Sequence, residues 1–247
     1  MNWIGLTGFG FVILSAILMA SLAFLRRKST PVFREIPAFA RLQKAIGLAV
    51  EEGSRLHISL GRGGLTTPQS AAELAGLEML HRVAELTSAS DRPPVATSGD
   101  GAVAILSQDA LQASDQAVLS SGHDVTAARL TGLTPFSYAA GTLLVMREED
   151  VSANILIGNF GVEVALLTDA AERENSSSLA ASDNLPAQAI LYASAQDALI
   201  GEELFAAGAY VKARPFHSAS LIVQDSLRWL VVIAILVGAI LKLAGLL

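Results

Sequence analysis

Two uninterrupted apolar runs bracket a middle region in which short apolar strands alternate with helical stripes. The first run, Trp3 to Leu25, holds 23 residues and no charged side chain. At ~1.5 Å rise per residue it would reach about 34 Å, enough to cross a ~30 Å hydrocarbon layer. Arg26, Arg27 and Lys28 follow it directly. A cleaved leader carries its positive charge before the apolar run, so this order predicts a retained span. The second run, Trp229 to Leu247, has one charge, Lys242. The lysine stem can carry its ammonium to the interface, and Trp229 beside Arg228 is placed as an interfacial anchor. The predicted organisation is a transmembrane helix at 3–25, an α/β domain at 29–218, and a second transmembrane helix within 219–247, preceded by an amphipathic turn.

Between the spans, the apolar pattern switches between periods of two and about 3.6. Pro37 to Glu52 reads as a helix with Ala38, Leu42, Ala45 and Ala49 on one stripe. Arg55 to Gly61 reads as a strand, followed by Arg62-Gly63-Gly64 and a helix from Pro68 to about Leu86. Thr67 is suited to its N-cap and Pro68 to its first turn. Leu74, Leu77, Leu80 and Ala84 predict its core face. Ala153 to Gly161 is a second clear strand, followed by a helix at about 162–173. Further units are a strand at 94–100 with a helix at 102–119, and a strand at 126–132 with a helix at 135–148. The last is a strand at 188–193 with a helix at 198–207. The polar stretch 175–184 reads as a surface loop, and Lys212 to Ser218 as a linker. About five strands alternating with helices predict a mainly parallel, doubly wound, Rossmann-like sheet covered on both faces.

Composition narrows the classes. The chain is 52% hydrophobic and only 16% charged, and it has no cysteine. That excludes a disulfide scaffold, a thiolate metal site and a cysteine nucleophile. A net charge of −6 argues against general nucleic-acid affinity. Of the 17 lysines and arginines, all but Lys242 lie between the two spans. Those beside the spans are Arg26, Arg27, Lys28, Lys212, Arg214 and Arg228, and they predict a cytoplasmic central region with both ends outside. The lack of cysteine fits a reducing compartment.

Three stretches carry a family likeness: Pro31-Val32-Phe33-Arg34-Glu35-Ile36-Pro37, Ala45 to Gly53, and Leu56 to Gly64. With the two terminal spans, the chain resembles an uncharacterised bacterial two-span membrane-protein family, held as a domain of unknown function. The resemblance implies a domain tethered to the bacterial inner membrane, and it implies no activity.

The strongest candidate site is the turn Gly61-Arg62-Gly63-Gly64 with Thr67. Ligands of doubly wound sheets bind at the carboxyl ends of strands, free amides at a helix start favour an anion, and Arg62 adds positive charge. The spacing is neither G-x-G-x-x-G nor a P-loop, and glycines also serve turn geometry alone. Asp100, in Ser98-Gly99-Asp100-Gly101, is suited to a ribose hydroxyl or metal, or to capping a helix. Asn159, in Gly158-Asn159-Phe160-Gly161, is suited to a ligand carbonyl or to a turn. Glu163 and Asp169 on the following helix are expected in solvent. The runs Glu51-Glu52 and Arg147 to Asp150 read as solvated helix ends or subunit-rim contacts, with Arg34, Arg41 and Lys44 as opposite charges.

His57, His81, His123 and His217 have no metal-ligand spacing, and His57 reads as a satisfied sheet residue. Ser59, Ser98 and Ser194 lie near predicted strand ends without a recognisable base, and no nucleophile-elbow motif is present. No catalytic residue, metal or cofactor is assigned. The favoured function is a structural or assembly role, with the lipid bilayer and copies of itself or membrane-complex subunits as partners. Small residues in both spans suit close helix packing. The alternatives are a nucleotide- or anion-sensing module at the strand ends and a membrane-tethered enzyme.

Overall fold

The computed structural model describes residues 3–25, 34–67, 70–88, 90, 92–117, 124–211 and 215–245. The chain divides into two units, one of residues 35–211 and one of the two flanks. The flanking unit holds α1 (Trp3–Leu25) and α9 (Pro215–Leu243), which pack against each other. Both are long and apolar enough to cross a membrane, with mean hydropathy 2.0 over Gly5–Leu22 and 2.1 over Ala219–Leu243. Within α1, Ser15 and Ser21 donate their hydroxyls to the carbonyls of Phe11 and Leu18, so neither leaves a bare donor on an apolar surface. The expected linker ending at Ser218 is shorter than predicted, because α9 already begins at Pro215. Lys212 to Arg214 lie outside the described residues.

The larger unit runs α2 (Pro37–Glu52), β1 (Arg55–Gly61), α3 (Ser70–Thr87), β2 (Val95–Ser98), α4 (Gly101–Ala117), β3 (Ala128–Leu130) and α5 (Pro135–Glu148). It continues β4 (Val151–Asn159), α6 (Val164–Arg173), β5 (Ser177–Ser182), α7 (Leu185–Ser194), β6 (Asp197–Leu199) and α8 (Glu203–Val211). All strand pairs are parallel and the order is β3-β2-β1-β4-β5-β6. This is the doubly wound order, with its switch point between β1 and β4. The sheet has six strands rather than about five. The loop expected at 175–184 contains β5, the strand expected at 188–193 lies inside helix α7, and the helix expected at 198–207 is β6 followed by α8.

Side chains alternate across the sheet. Leu56, Ile58 and Leu60 of β1 join Ile155 and Ile157 of β4 in the core beneath α2, α3, α4 and α8. Leu156, Phe160 and Ala180 join the core beneath α5, α6 and α7. Of the expected core face of α3, Leu80 and Ala84 are buried and Leu77 packs against the core, but Leu74 is exposed, and Ala72, Gly76, Met79 and Val83 complete the buried face.

The other face of β1 carries Arg55, His57 and Ser59, all buried. Arg55 pairs with Glu149, which also pairs with Arg129, so the charge run at 147–150 sends one member inward. Asn154 donates its amide to Ser176, which leaves its carbonyl oxygen to accept from His57 Nδ1 at 2.8 Å. His57 Nε2 then accepts the Thr97 hydroxyl at 2.8 Å. Burial holds this imidazole neutral and lowers its pKa to about 4. The Asn154 bond opposes that shift, and the nearby Arg129 charge adds to it.

α2 enters and α8 leaves at the edge where the strands begin. Arg41 pairs with Asp197 at the start of β6, Gln43 donates to the Tyr210 carbonyl, and the Phe39 and Tyr210 rings stack at 4.5 Å. At the opposite edge β1 and β4 approach closely through glycine. A Cβ on Gly158 would overlap the Leu60 carbonyl, whereas Gly47 in α2 has open space around it. Gly158→Ala is therefore expected to destabilise the full chain in detergent by about 3 kcal/mol. Gly47→Ala is expected to stabilise it by about 1 kcal/mol. Chemical denaturation measures both, and equal effects would reject this packing.

Candidate functional site

The site is built where β1 and β4 end. Gly61 closes β1 with φ +77, a left-handed conformation that favours glycine. Its amide donates to the Tyr138 hydroxyl at 3.1 Å, and that hydroxyl also bonds Ser59. Gly99 N–H donates to the Gly61 carbonyl at 2.8 Å, and Arg62 N–H donates to the Asn159 carbonyl at 2.9 Å. The glycine turn is thus stitched to β2 on one side and β4 on the other.

The side chains close the same gap. Arg62 Nε donates to Glu163 Oε1 at 2.9 Å, and Gly161 N–H donates to that same oxygen at 2.9 Å. Glu163 is buried, not solvated as expected, because the ion pair draws it under the loop. Burial pushes its carboxyl up, but the bonds from Arg62 and Gly161 outweigh this and hold it below the ordinary carboxylate range. Glu73, on α3, is fully buried against Gly63, where a Cβ would overlap the carboxylate. Its Oε1 accepts the Asn159 N–H at 3.0 Å, and its Oε2 has no hydrogen-bond partner. Burial raises this carboxyl to about 7, opposed by the Asn159 and Gly63 amides and reinforced by the Asp183 charge.

The predicted residues fall as follows. Gly61, Arg62, Gly63 and Gly64 meet Asp100 and Asn159 at the switch point. Asp100 Oδ1 accepts the N–H groups of Ala102 and Val103 at 3.0 and 3.1 Å, so it caps α4. Asn159 turns its amide away to donate to Asp183 at 2.7 Å. Thr67 is exposed and donates its hydroxyl to the Gly64 carbonyl at 2.7 Å, which makes it a turn residue. Pro68 lies outside the described residues. Glu73, Glu163, Asp183 and Tyr138 were not among the predicted site residues. The signal for Glu73 was a lone charge on the stripe shared by Gly76 and Leu80.

The chemistry of the arrangement is acidic. Glu73, Glu163, Asp100 and Asp183 all bond groups of the turns at these strand ends, and Arg62 is paired with Glu163. Among the described residues no group of three or more His, Asp or Glu side chains could hold a metal. Ser59 bonds Tyr138, Ser98 donates to the Asp100 carbonyl and Ser194 to the Ile190 carbonyl, so none addresses a base. Asp169 is exposed and pairs with Arg173 at 2.9 Å. A separate groove of about 600 Å³ lies at the other sheet edge, between α2 and the starts of β4 and β5.

A doubly wound α/β unit with a self-filled switch point, flanked by two apolar helices, is what fold and site define. Residues 4–246 match the family described as Domain of unknown function (DUF6754), and the chain belongs to that family. No curated protein and no solved structure matches it.

Glu73 and His57 titrate against each other. Glu73 has a folded pKa of about 7 above an ordinary 4.5, so its contribution is present below pH 4.5 and lost as pH rises to about 7. His57 has a folded pKa of about 4 below an ordinary 6.5, so its contribution is present above 6.5 and lost as pH falls to about 4. Each is worth roughly 3 kcal/mol over its range. Glu73→Gln removes one of the two. Its stability relative to wild type is expected to rise by about 3 kcal/mol between pH 4.5 and 7.5. Denaturation of the full chain at both pH values measures this, and a pH-independent difference would contradict a buried titrating carboxyl.

Proposed function

We infer that the protein is a membrane-anchored α/β module with a structural or assembly role, working as an oligomer or as part of a larger membrane complex. The observation that carries this reading is the closure of the switch-point crevice by the chain's own groups. Arg62 is engaged by Glu163, the Asn159 amide by Glu73, and the α4 amides by Asp100. The polar groups that would greet an anion are spent internally, and the surrounding carboxylates repel one. This weakens the nucleotide- or anion-sensing alternative. A tethered enzyme has no observation in its favour.

The apolar character of α1 and α9 supports anchoring in a membrane, which in this reading is the bacterial inner membrane. The cations beside the two spans support a cytoplasmic position for residues 35–211, with both ends outside.

Four measurements test the reading. The full chain is expected to stay in the pellet after carbonate extraction, with tags at either end reachable only from the non-cytoplasmic side of the membrane. Nucleotides and inorganic phosphate are expected to leave its thermal midpoint unchanged. Arg62→Ala is expected to lower stability by about 2 kcal/mol through the unpaired Glu163. A nucleotide-induced shift that Arg62→Ala abolishes would reverse the preference in favour of sensing.

A further inference from the structure

The helices α5, α6 and α7 form one layer, and its outer surface carries a group of large exposed apolar side chains. Leu133 and Phe136 stand at the start of α5, Val162 and Leu166 at the start of α6, and Leu185 and Tyr192 on α7. All six are between 42% and 78% exposed. α6 packs against both α5 and α7, so the three helix starts are neighbours along the edge where the strands end. The helix α7 contains no charged residue, and Leu185, Ala189 and Tyr192 recur along it at the i, i+4, i+7 spacing of a buried stripe. Charged side chains on α5 and α6 are confined to their later turns: Arg147 and Glu148 on α5, Asp169, Glu172 and Arg173 on α6. At the helix starts, Glu163 is buried in its ion pair and Asp183 holds Asn159.

We propose that this α5–α7 face is a two-fold interface with a second copy of the chain. The proposal rests on the assembly reading above and names its surface and its partner. Size is the first argument. Six large apolar side chains at this exposure present on the order of 600 Å², at the upper end of what a monomer shows. A stable interface needs ~800 Å² from each partner, which the flanking Ala140, Ala189 and Ala193 bring within reach. Charge is the second argument. A bilayer surface selects lysine and arginine, and the six-residue patch contains neither. A charged protein partner would find no complement here. A copy of the same uncharged patch does, and isologous contact needs only a self-complementary face. Tethering in a membrane would raise the local concentration of copies further. Within the unit, Phe39 and Tyr210 stack at the sheet edge opposite the helix starts that carry the patch.

The test uses the full chain in detergent and in native membranes, and the absence of cysteine makes it direct. Ala189→Cys is expected to give a dimer with a short bis-maleimide, and Gln112→Cys on α4 is expected not to. Leu185→Glu and Phe136→Glu are expected to lower the dimer fraction at least tenfold by light scattering, with the circular dichroism spectrum of the folded chain unchanged. A self-associating chain that ignores both glutamates and crosslinks equally at Gln112→Cys would overturn this interface and leave the assembly reading standing. A monomer with no partner in native membranes would overturn both. A different protein retained by wild type and released by Leu185→Glu would overturn the choice of a second copy.

Discussion

The parallel pairing of β1 with β4 is the contact on which the rest of the α/β unit depends. Each half of the sheet is a continuous winding, and among the described residues this is the strand pair that joins them. Ile58 lies opposite Ile155 and Ser59 opposite Leu156, both strands are buried on both faces, and Gly158 lets the backbones meet at their ends. Because the winding reverses direction here, the loops after β1 and β4 turn to opposite faces and leave a gap between them. In this chain the gap is filled by Arg62 with Glu163 and by Glu73 with the Asn159 amide. The same contact that builds the sheet therefore fixes what the crevice contains.

That filling has a cost the structure leaves partly uncovered. A fully buried carboxyl with one bare oxygen is unfavourable when ionised, and the Asn159 and Gly63 amides only partly offset this. Arg55, by contrast, is buried with carboxylates and the Pro93 carbonyl around it, and His57 has both ring nitrogens bonded. The polar column on β1 is satisfied along its length. Unsatisfied polarity remains in Glu73 Oε2 at the strand ends and in Arg82 Nε and Ser114 Oγ on α3 and α4.

Much of the fold was legible in the sequence, for identifiable reasons. The Pro37–Glu52 and Pro135–Glu148 helices begin at proline and carry apolar stripes, and the strands at 55–61 and 153–159 have strong apolar residues bounded by glycine. The last third was not legible. Ser177–Ser182 is built of serine and alanine around one leucine, which resembles a surface loop. It is a strand because β4 and β6 flank it and α6 and α7 cover it closely, a tertiary cause that propensity does not report. The run Ala189 to Ala193 is apolar without interruption, a pattern shared by buried strands and helices. Pro186, placed to start a helix, was the available discriminator. For the site, the glycine turn was visible because glycines punctuate sequence. Its acidic character was not, because Glu73 and Glu163 are distant in sequence and only the fold brings them under the loop.

The stacking of Phe39 on Tyr210 has a mechanical consequence. The first helix of the unit and its last are clamped to each other, ring on ring, with Gln43 bonded to the Tyr210 backbone beside them. A pull between the two flanking segments would load this short clasp first, in shear across two helices. Arg41 also ties the first helix to Asp197 at the start of β6, so tension that outlasts the clasp would next reach the edge strand of the sheet.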